Sequence, residues 1–290
     1  MTEFKIGYIS DEHLDFRCFE KNPQNPKFNK QIATFIKDKL KPEGGDILLS
    51  GGDTSHYNEQ TKEYLTQMLD YYGVIFITDG NHDRYLINAT QQDKYNFTSD
   101  NRVQEMIDWC ETQPNIHFLD GNVVDVEGLK IGGLGNWYDL PTDGMKAHWR
   151  EVMNDSNLIM TNHKPHHVSY GYGASMKLTT FDTQAHRERQ EKNMDNIVQE
   201  GCDILLTHII PAIIPDEHLF SGHVGDNANI FYMSDDLHQV KKTGAEVVVY
   251  GHNHTVKQFE LDDIHFVTNA VAYPNELGAA KIEHFIFHKE

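Results

Sequence analysis

The sequence has few cysteines and no long apolar stretch. Three cysteines occur among 290 residues, far apart and without C-x-x-C spacing, so we expect neither a disulfide framework nor a thiolate zinc site. No run approaches the roughly 18 uninterrupted apolar residues of a membrane span. Because the chain opens directly on a strand-like segment rather than on a basic, apolar leader, we expect it in a reducing cytoplasm.

Basic residues are also scarce in relation to acidic ones. Lys and Arg number 25 against 44 Asp and Glu, which gives a formal net charge of −19. A protein that grips an extended nucleic acid needs a positive surface for the phosphates. The charge therefore disfavours long DNA or RNA as a partner. The nucleophile-elbow, P-loop and dinucleotide-binding motifs are missing as well.

Short β-rich apolar runs recur along the chain, and each predicts a buried strand. They cover residues 4–9, 47–50, 74–78, 158–161, 204–207 and 246–250. Apolar residues return with helical spacing over 28–36, 64–72 and 103–110, between or after the early strands. This alternation predicts a layered α/β fold. We expect one domain over 1–290, with a second sheet near the C-terminus and a lid or insertion over 136–200.

Metal-binding side chains follow five of the predicted strands, where loops from neighbouring strands converge in α/β sheets. They are Asp11 and His13, then Asp53, then Asn81, His82 and Asp83, then His208, and finally His252 with His254. The spacings D-x-H and H-x-H turn two side chains to one side of an extended segment. Without His82 and Asp83, seven potential ligands remain, which exceeds the needs of one ion, so two ions are implied. Carboxylate, amide and imidazole donors suit Mn²⁺, with Fe or Zn²⁺ as alternatives.

In this order, D-x-H, G-D, G-N-H-D, a later His and G-H-N-H, the motifs resemble those of the calcineurin-like metallophosphoesterases. The resemblance implies a four-layer α/β/β/α sandwich of two mixed sheets flanked by helices. It further implies two metal sites that share Asp53: one with Asp11, His13 and His254, the other with Asn81, His208 and His252. His82 would stand beside the substrate, and Asp83 would orient it.

The chemistry implied is hydrolysis of a phosphate mono- or diester. Two cations would neutralise the phosphate oxygens and lower the pKa of a bridging water until hydroxide forms near neutral pH. His82 would give a proton or hydrogen bond to the leaving oxygen. We expect a small, nucleotide-like phosphorylated substrate. A nuclease acting on DNA or RNA ends and a non-catalytic binding scaffold of the same fold are the alternatives.

Two histidines compete for one ligand position, because His163 and His208 each follow an apolar run plus a polar residue and precede a proline. A strand that runs straight into Thr-His is the form typical of the family, which favours His208. His163, Lys164 and His167 then belong to the 136–200 segment. There they are candidate substrate-binding residues of a lid, and the competing interpretation is an ordinary polar loop.

Overall fold

Two large β-sheets face each other at the centre of the structure. The computed structural model describes residues 2–170, 174–214 and 227–289. Its strands are β1 (Thr2–Ile9), β2 (Gly45–Ser50), β3 (Tyr72–Ile77), β4 (Ile116–Phe118), β5 (Asn122–Val126), β6 (Leu129–Leu134), β7 (His166–Tyr170), β8 (Ala174–Leu178), β9 (Ile204–Thr207), β10 (Val247–Val249), β11 (Val256–Leu261), β12 (Ile264–Asn269) and β13 (Glu283–Lys289).

Helices surround the sheets. They are α1 (Pro26–Phe35), α2 (Asn58–Met68), α3 (Asn81–Arg84), α4 (Ala89–Lys94), α5 (Ser99–Glu111), α6 (Asp143–Val152), α7 (Asp155–Leu158), α8 (Thr183–Glu200) and α9 (Leu237–Thr243). Shorter 3₁₀ turns cover Leu14–Phe16 and Asn227–Phe231, and a wide π turn over Ile36–Leu40 continues α1. No helix within the described ranges is both long and apolar enough to span a bilayer.

Both large sheets are mixed, with parallel strands in the middle and an antiparallel strand at one edge of the first sheet and at both edges of the second. The first has the order β13-β1-β2-β3-β4, in which only the pairing of β13 with β1 is antiparallel. The second has the order β11-β12-β10-β9-β6-β5, and its first and last pairings are antiparallel. Parallel strands place their carboxyl ends at one edge of a sheet, so the loops that follow them converge.

Three apolar layers hold this arrangement together. Side chains from both sheets pack between them, among them Ile6, Leu49, Leu206 and Val249. The outer face of the first sheet packs on α1, α2 and α5, and that of the second on α8 and α9. Because the central strands are covered on both faces, they are continuously apolar rather than alternating. The predicted four-layer α/β/β/α fold with two mixed sheets is confirmed.

The predicted strand over 158–161 is wrong. Residues Asp155–Leu158 form the short helix α7, and Ile159 and Met160 are buried beyond it. The backbone of Met160 exchanges hydrogen bonds with Ser99, its N–H donating to Ser99 Oγ and its carbonyl accepting from Ser99 N–H. A short, buried apolar run does not by itself distinguish a strand from a helical turn that docks on a loop.

The 136–200 segment contains α6, α7, the hairpin β7–β8 and α8; residues 171–173, which fall within it, lie outside the described residues. Its aromatic residues Trp137, Trp149 and Phe181 form a cluster with Tyr85 and Phe231. Helix α8 packs on the second sheet and so belongs to the outer layer of the fold. That the remainder of the segment acts as a lid stays a prediction.

Candidate active site

Candidate ligands from both sheets meet at the carboxyl ends of the parallel strands. Asp11 and His13 follow β1, Asp53 follows β2, Asn81 begins α3 after β3, and His208 directly follows β9; His252 and His254 follow β10. Five of these seven residues, Asp11, His13, Asp53, His252 and His254, have left-handed φ angles between 43° and 66°. This conformation costs a side-chain-bearing residue roughly 1–2 kcal/mol, and such strain is concentrated at functional sites.

The first group of ligand atoms comes from Asp11, His13 and His254. Nε2 of His254 lies 3.1 Å from Nε2 of His13 and 3.4 Å from Oδ1 of Asp11. Two ligands bound to one ion at about 2.1 Å are separated by roughly 3.0–3.4 Å in tetrahedral or octahedral geometry. The atoms are thus already spaced as neighbours around a single cation.

The second group comes from Asp53, Asn81, His208 and His252. Nε2 of His208 lies 3.2 Å from Oδ1 of Asn81, 3.2 Å from Nδ1 of His252 and 3.4 Å from Oδ2 of Asp53. These separations also match neighbouring ligands of one ion. A carboxylate oxygen of Asp53 also lies within 4.8 Å of one ring nitrogen of His13 and of one of His82. The carboxylate of Asp53 therefore lies between the two groups.

Hydrogen bonds on the far side of three imidazoles fix the orientation of the rings. Nδ1 of His208 donates to the carbonyl of Gly51 at 2.7 Å, and Nε2 of His252 donates to the carbonyl of Phe231 at 3.1 Å. Nδ1 of His254 contacts Glu276 at 2.7 Å. Each bond leaves the other ring nitrogen facing the cluster, which is how ligating histidines are normally held.

Asp155 orients Asn81, and sequence reasoning missed it. Nδ2 of Asn81 donates to Asp155 at 2.9 Å, which leaves Oδ1 to face His208. The carboxylate of Asp155 is fully buried and also accepts hydrogen bonds from the hydroxyls of Tyr85 and Tyr138. The segment 136–200 thus supports the cluster from behind. No local motif marks Asp155, because its partners lie 17 to 74 residues away.

His82 is buried beside the cluster, but Asp83 does not orient it as expected. Oδ2 of Asp83 accepts from the backbone N–H groups of Asp53 and Gly80, at 2.7 and 2.9 Å. The ring of His82 instead contacts Nε2 of His56 through Nδ1, at 2.8 Å, and the hydroxyl of Tyr273 through Nε2, at 2.9 Å. An aspartate that comes soon after a strand is well placed to accept hydrogen bonds from backbone N–H groups at the start of a turn, and Asp83 does so.

Charge in the cluster is shared between carboxylates and two imidazoles. Burial would raise the pKa of Asp11, but the hydrogen bond and charge of His254 lower it to about 2. Burial would also raise the pKa of Asp53, but mainly the charge of His208 lowers this pKa well below the usual range. Burial would lower the pKa of His208, yet Asp53 raises it to about 10. Carboxylate partners likewise raise the pKa of His254 to about 10 against the effect of burial.

Burial favours the neutral form of the other histidines of the cluster. Burial lowers the pKa of His13 to about 4 and that of His252 to about 3, and it holds the pKa of His82 well below its ordinary value. Neutral imidazole is the form that binds metal. Cations would therefore find His13 and His252 already in the neutral form, and they would displace a proton from His208 and from His254.

The three candidate substrate-binding residues lie outside this cluster. The side chains of His163, Lys164 and His167 are exposed. The ammonium of Lys164 lies 5.5 Å from the centre of the Phe97 ring. Of the two competing histidines, the structure therefore brings His208 among the ligand atoms, and not His163.

Comparison with known proteins agrees with this architecture. The profile of the calcineurin-like phosphoesterases matches residues 4–201, more than half of the chain. Phosphopantetheinyl hydrolase from Mycobacterium tuberculosis has a similar structure, with a TM-score of 0.62 at 16% identity, over 97% of this chain and 95% of that one. A provisionally assigned 5'-nucleotidase from Staphylococcus aureus, solved with alpha-ketoglutarate, has a TM-score of 0.44 at 9% identity, over 100% and 51% of the two chains. A search of curated proteins gives no significant match.

Proposed function

Because this chain belongs to the calcineurin-like phosphoesterases, a family of dinuclear metal-dependent hydrolases, we propose that it hydrolyses a small, nucleotide-like phosphate ester with two Mn²⁺ ions. One observation carries the proposal: two groups of ligand atoms, each spaced at 3.1–3.4 Å, meet at one buried carboxylate. Oxygen and imidazole donors in this mixture suit Mn²⁺.

In this proposal the ions are held as the motifs imply. Asp53 is the shared ligand; Asp11, His13 and His254 complete one site, and Asn81, His208 and His252 the other. Bound divalent cations would neutralise phosphate charge and make water a better nucleophile near neutral pH. The chain contributes a site that is already assembled, since the ring orientations are fixed by the bonds to Gly51, Phe231 and Glu276.

His82 acts on the leaving group. Its Nε2 lies 2.9 Å from the hydroxyl oxygen of Tyr273 and 4.0 Å from Oδ2 of Asp53. As the imidazolium, which the charge of a bound phosphate would favour, His82 can donate the proton on Nε2 to the departing ester oxygen, a contribution of about 10²–10⁴-fold when that oxygen is basic. The substrate would take the place of the Tyr273 hydroxyl as partner of Nε2.

Aromatic side chains at the edge of the cluster support a substrate with a planar group. The Phe16 side chain is 40% exposed although its ring contacts those of His13, His56 and Tyr273. An exposed aromatic face beside a phosphate-binding cluster offers a stacking surface for a nucleobase, and such stacking contributes about 1–3 kcal/mol. The net charge of −19 disfavours an extended polyanion in the same place.

A substrate panel tests the proposal. The Mn²⁺-loaded protein would be assayed with mononucleotides, cyclic nucleotides, alkyl and p-nitrophenyl mono- and diesters, and DNA and RNA. An alkyl phosphopantetheinyl ester belongs in the panel because the similar-fold hydrolase from M. tuberculosis is named for that group. We expect the highest kcat/KM for a small nucleotide ester. Preference for nucleic-acid ends would favour the nuclease, and inactivity on every ester would favour the binding scaffold.

A further inference from the structure

A hydrogen-bonded chain of three side chains ends at His82. Oδ2 of Asp15 lies 2.7 Å from Nδ1 of His56, and Nε2 of His56 lies 2.8 Å from Nδ1 of His82. The remaining ring nitrogen of His82 faces Tyr273 at 2.9 Å. The three residues follow three different strands, β1, β2 and β3. The chain is thus a product of the fold and not of one sequence motif.

This chain is rigidly built. The side chains of Asp15, His56 and His82 are 7%, 9% and 9% exposed. The rings of His56 and His82 are nearly parallel, 6° apart in plane, with centroids 4.8 Å apart. The backbone of His56 is fixed as well, because its N–H donates to Oδ1 of Asp15 and its carbonyl accepts from Gln91. Such a double attachment holds a ring more tightly than packing alone.

We propose that His56 and Asp15 are positioning residues for His82, in the role that the sequence motif suggested for Asp83. An ionised carboxylate accepts hydrogen bonds but donates none, so Asp15 fixes a proton on Nδ1 of His56. Nε2 of His56 then accepts a hydrogen bond from Nδ1 of His82, which leaves Nε2 of His82 to donate to the leaving group when the ring is the imidazolium. The inference rests on the proposed function of His82 at the leaving group.

Asp83 is already engaged elsewhere. Its Oδ2 accepts from the backbone N–H groups of Asp53 and Gly80, and so closes the turn that presents the shared ligand. Loss of Asp83 should therefore disturb metal binding. Loss of His56 should leave metal binding intact, because among the described residues the ring of His56 contacts none of the seven proposed ligands.

The test compares His56→Ala, His82→Ala and the double variant, each loaded with Mn²⁺, on a p-nitrophenyl ester and on a nucleoside ester. p-Nitrophenolate leaves without protonation, so a leaving-group residue matters little for that substrate. For the nucleoside ester we expect His56→Ala to lower kcat about 10- to 100-fold with KM and metal content unchanged. The double variant should be no slower than His82→Ala, because both changes remove one unit.

Two further variants keep the test decisive. Asp15→Asn retains the size of the side chain but offers an amide N–H₂ to Nδ1 of His56, and it should show the same dependence on the leaving group even if His56→Ala does not fold. His186→Gln is the matched control, since His186 is also buried but bonds to Arg189 away from the cluster. It should behave as the wild type on both substrates.

The outcomes separate two failures. If the wild type hydrolyses neither ester, the proposed function is wrong. If the wild type is active but His56→Ala and Asp15→Asn match it on the nucleoside ester, the positioning role is refuted. Equal losses on both substrates, or losses that multiply in the double variant, would also overturn it, because they would show that His56 acts independently of His82.

Discussion

Gly80 lies so close to Asp53 that one added methyl group would displace the proposed shared ligand. A Cβ at this position would stand 2.1 Å from Oδ1 of Asp53, 2.7 Å from its Cγ and 2.7 Å from Cε1 of His208. The backbone itself does not require glycine, because φ is −107° and ψ −177°, an extended conformation open to any residue. Any effect of Gly80→Ala must therefore come from the clash.

The size of the effect follows from the distances. To regain ordinary contact with the methyl group, the carboxylate must retreat by about 1 Å. Metal–ligand distances tolerate changes of only about 0.2 Å. Overpacking of this kind costs about 1–3 kcal/mol, so the fold should survive with Tm lowered by several degrees. We expect Gly80→Ala to lose bound metal and at least about 100-fold in kcat/KM.

Elemental analysis and a p-nitrophenyl ester assay would measure both quantities on the same preparation, with Tm from a thermal melt. Gly144→Ala is the matched control: its Cβ would meet nothing closer than Oγ1 of Thr142 at 3.9 Å, and it lies in α6. Alanine is the better helix former there, so stability should stay equal or rise slightly. Wild-type metal content and activity in folded Gly80→Ala would refute the assignment of Asp53 as a ligand.

Three other predictions concern the ligands. His208→Ala should lower bound metal and activity together, whereas His163→Ala should leave metal stoichiometry intact and act at most on KM. Elemental analysis and kinetics measure both effects. The reverse result would make His163 the ligand in place of His208. Asp155→Asn should weaken metal binding about 10- to 100-fold by freeing Asn81, as measured by metal titration; unchanged affinity would contradict the support role. The pKa values of His208 and His254 are raised to about 10, so both rings are protonated below that pH. Metal binding should therefore weaken as pH falls, and each chain should release about two protons when it binds metal. Calorimetry in buffers of different ionisation enthalpy measures the release, and a pH-independent affinity would contradict it.

The fold and the ligand cluster could be predicted because their signals are local. Five of the parallel strands, β1, β2, β3, β9 and β10, are short apolar runs that are followed by polar motifs such as G-N-H-D or G-H-N-H. The order of such motifs along the chain then implies where the side chains meet, since the carboxyl ends of parallel strands share an edge. The helices on the outer face of the first sheet, α1, α2 and α5, follow from apolar spacing in the same way.

The residues behind the cluster could not be predicted, because they act across long sequence separations. His56 and Asp15 are 41 residues apart, and Asp155 reaches Asn81 across 74. The sequence spacing within each pair does not distinguish these residues from ordinary surface residues. Asp83 was misjudged for the opposite reason: its place beside His82 in the sequence suggested a contact, but the turn directs its carboxylate to backbone N–H groups.

The central claim is that hydrolysis depends on two metal ions that share Asp53. Its most direct test is to measure ester hydrolysis against the number of Mn²⁺ ions bound per chain, from the chelated protein upward, in the wild type and in Asp53→Asn. We predict no activity in the metal-free protein and activity that rises as two ions bind. In Asp53→Asn we predict that hydrolysis no longer rises as Mn²⁺ is added. Full activity in the metal-free protein, or an unchanged titration in Asp53→Asn, would contradict the claim.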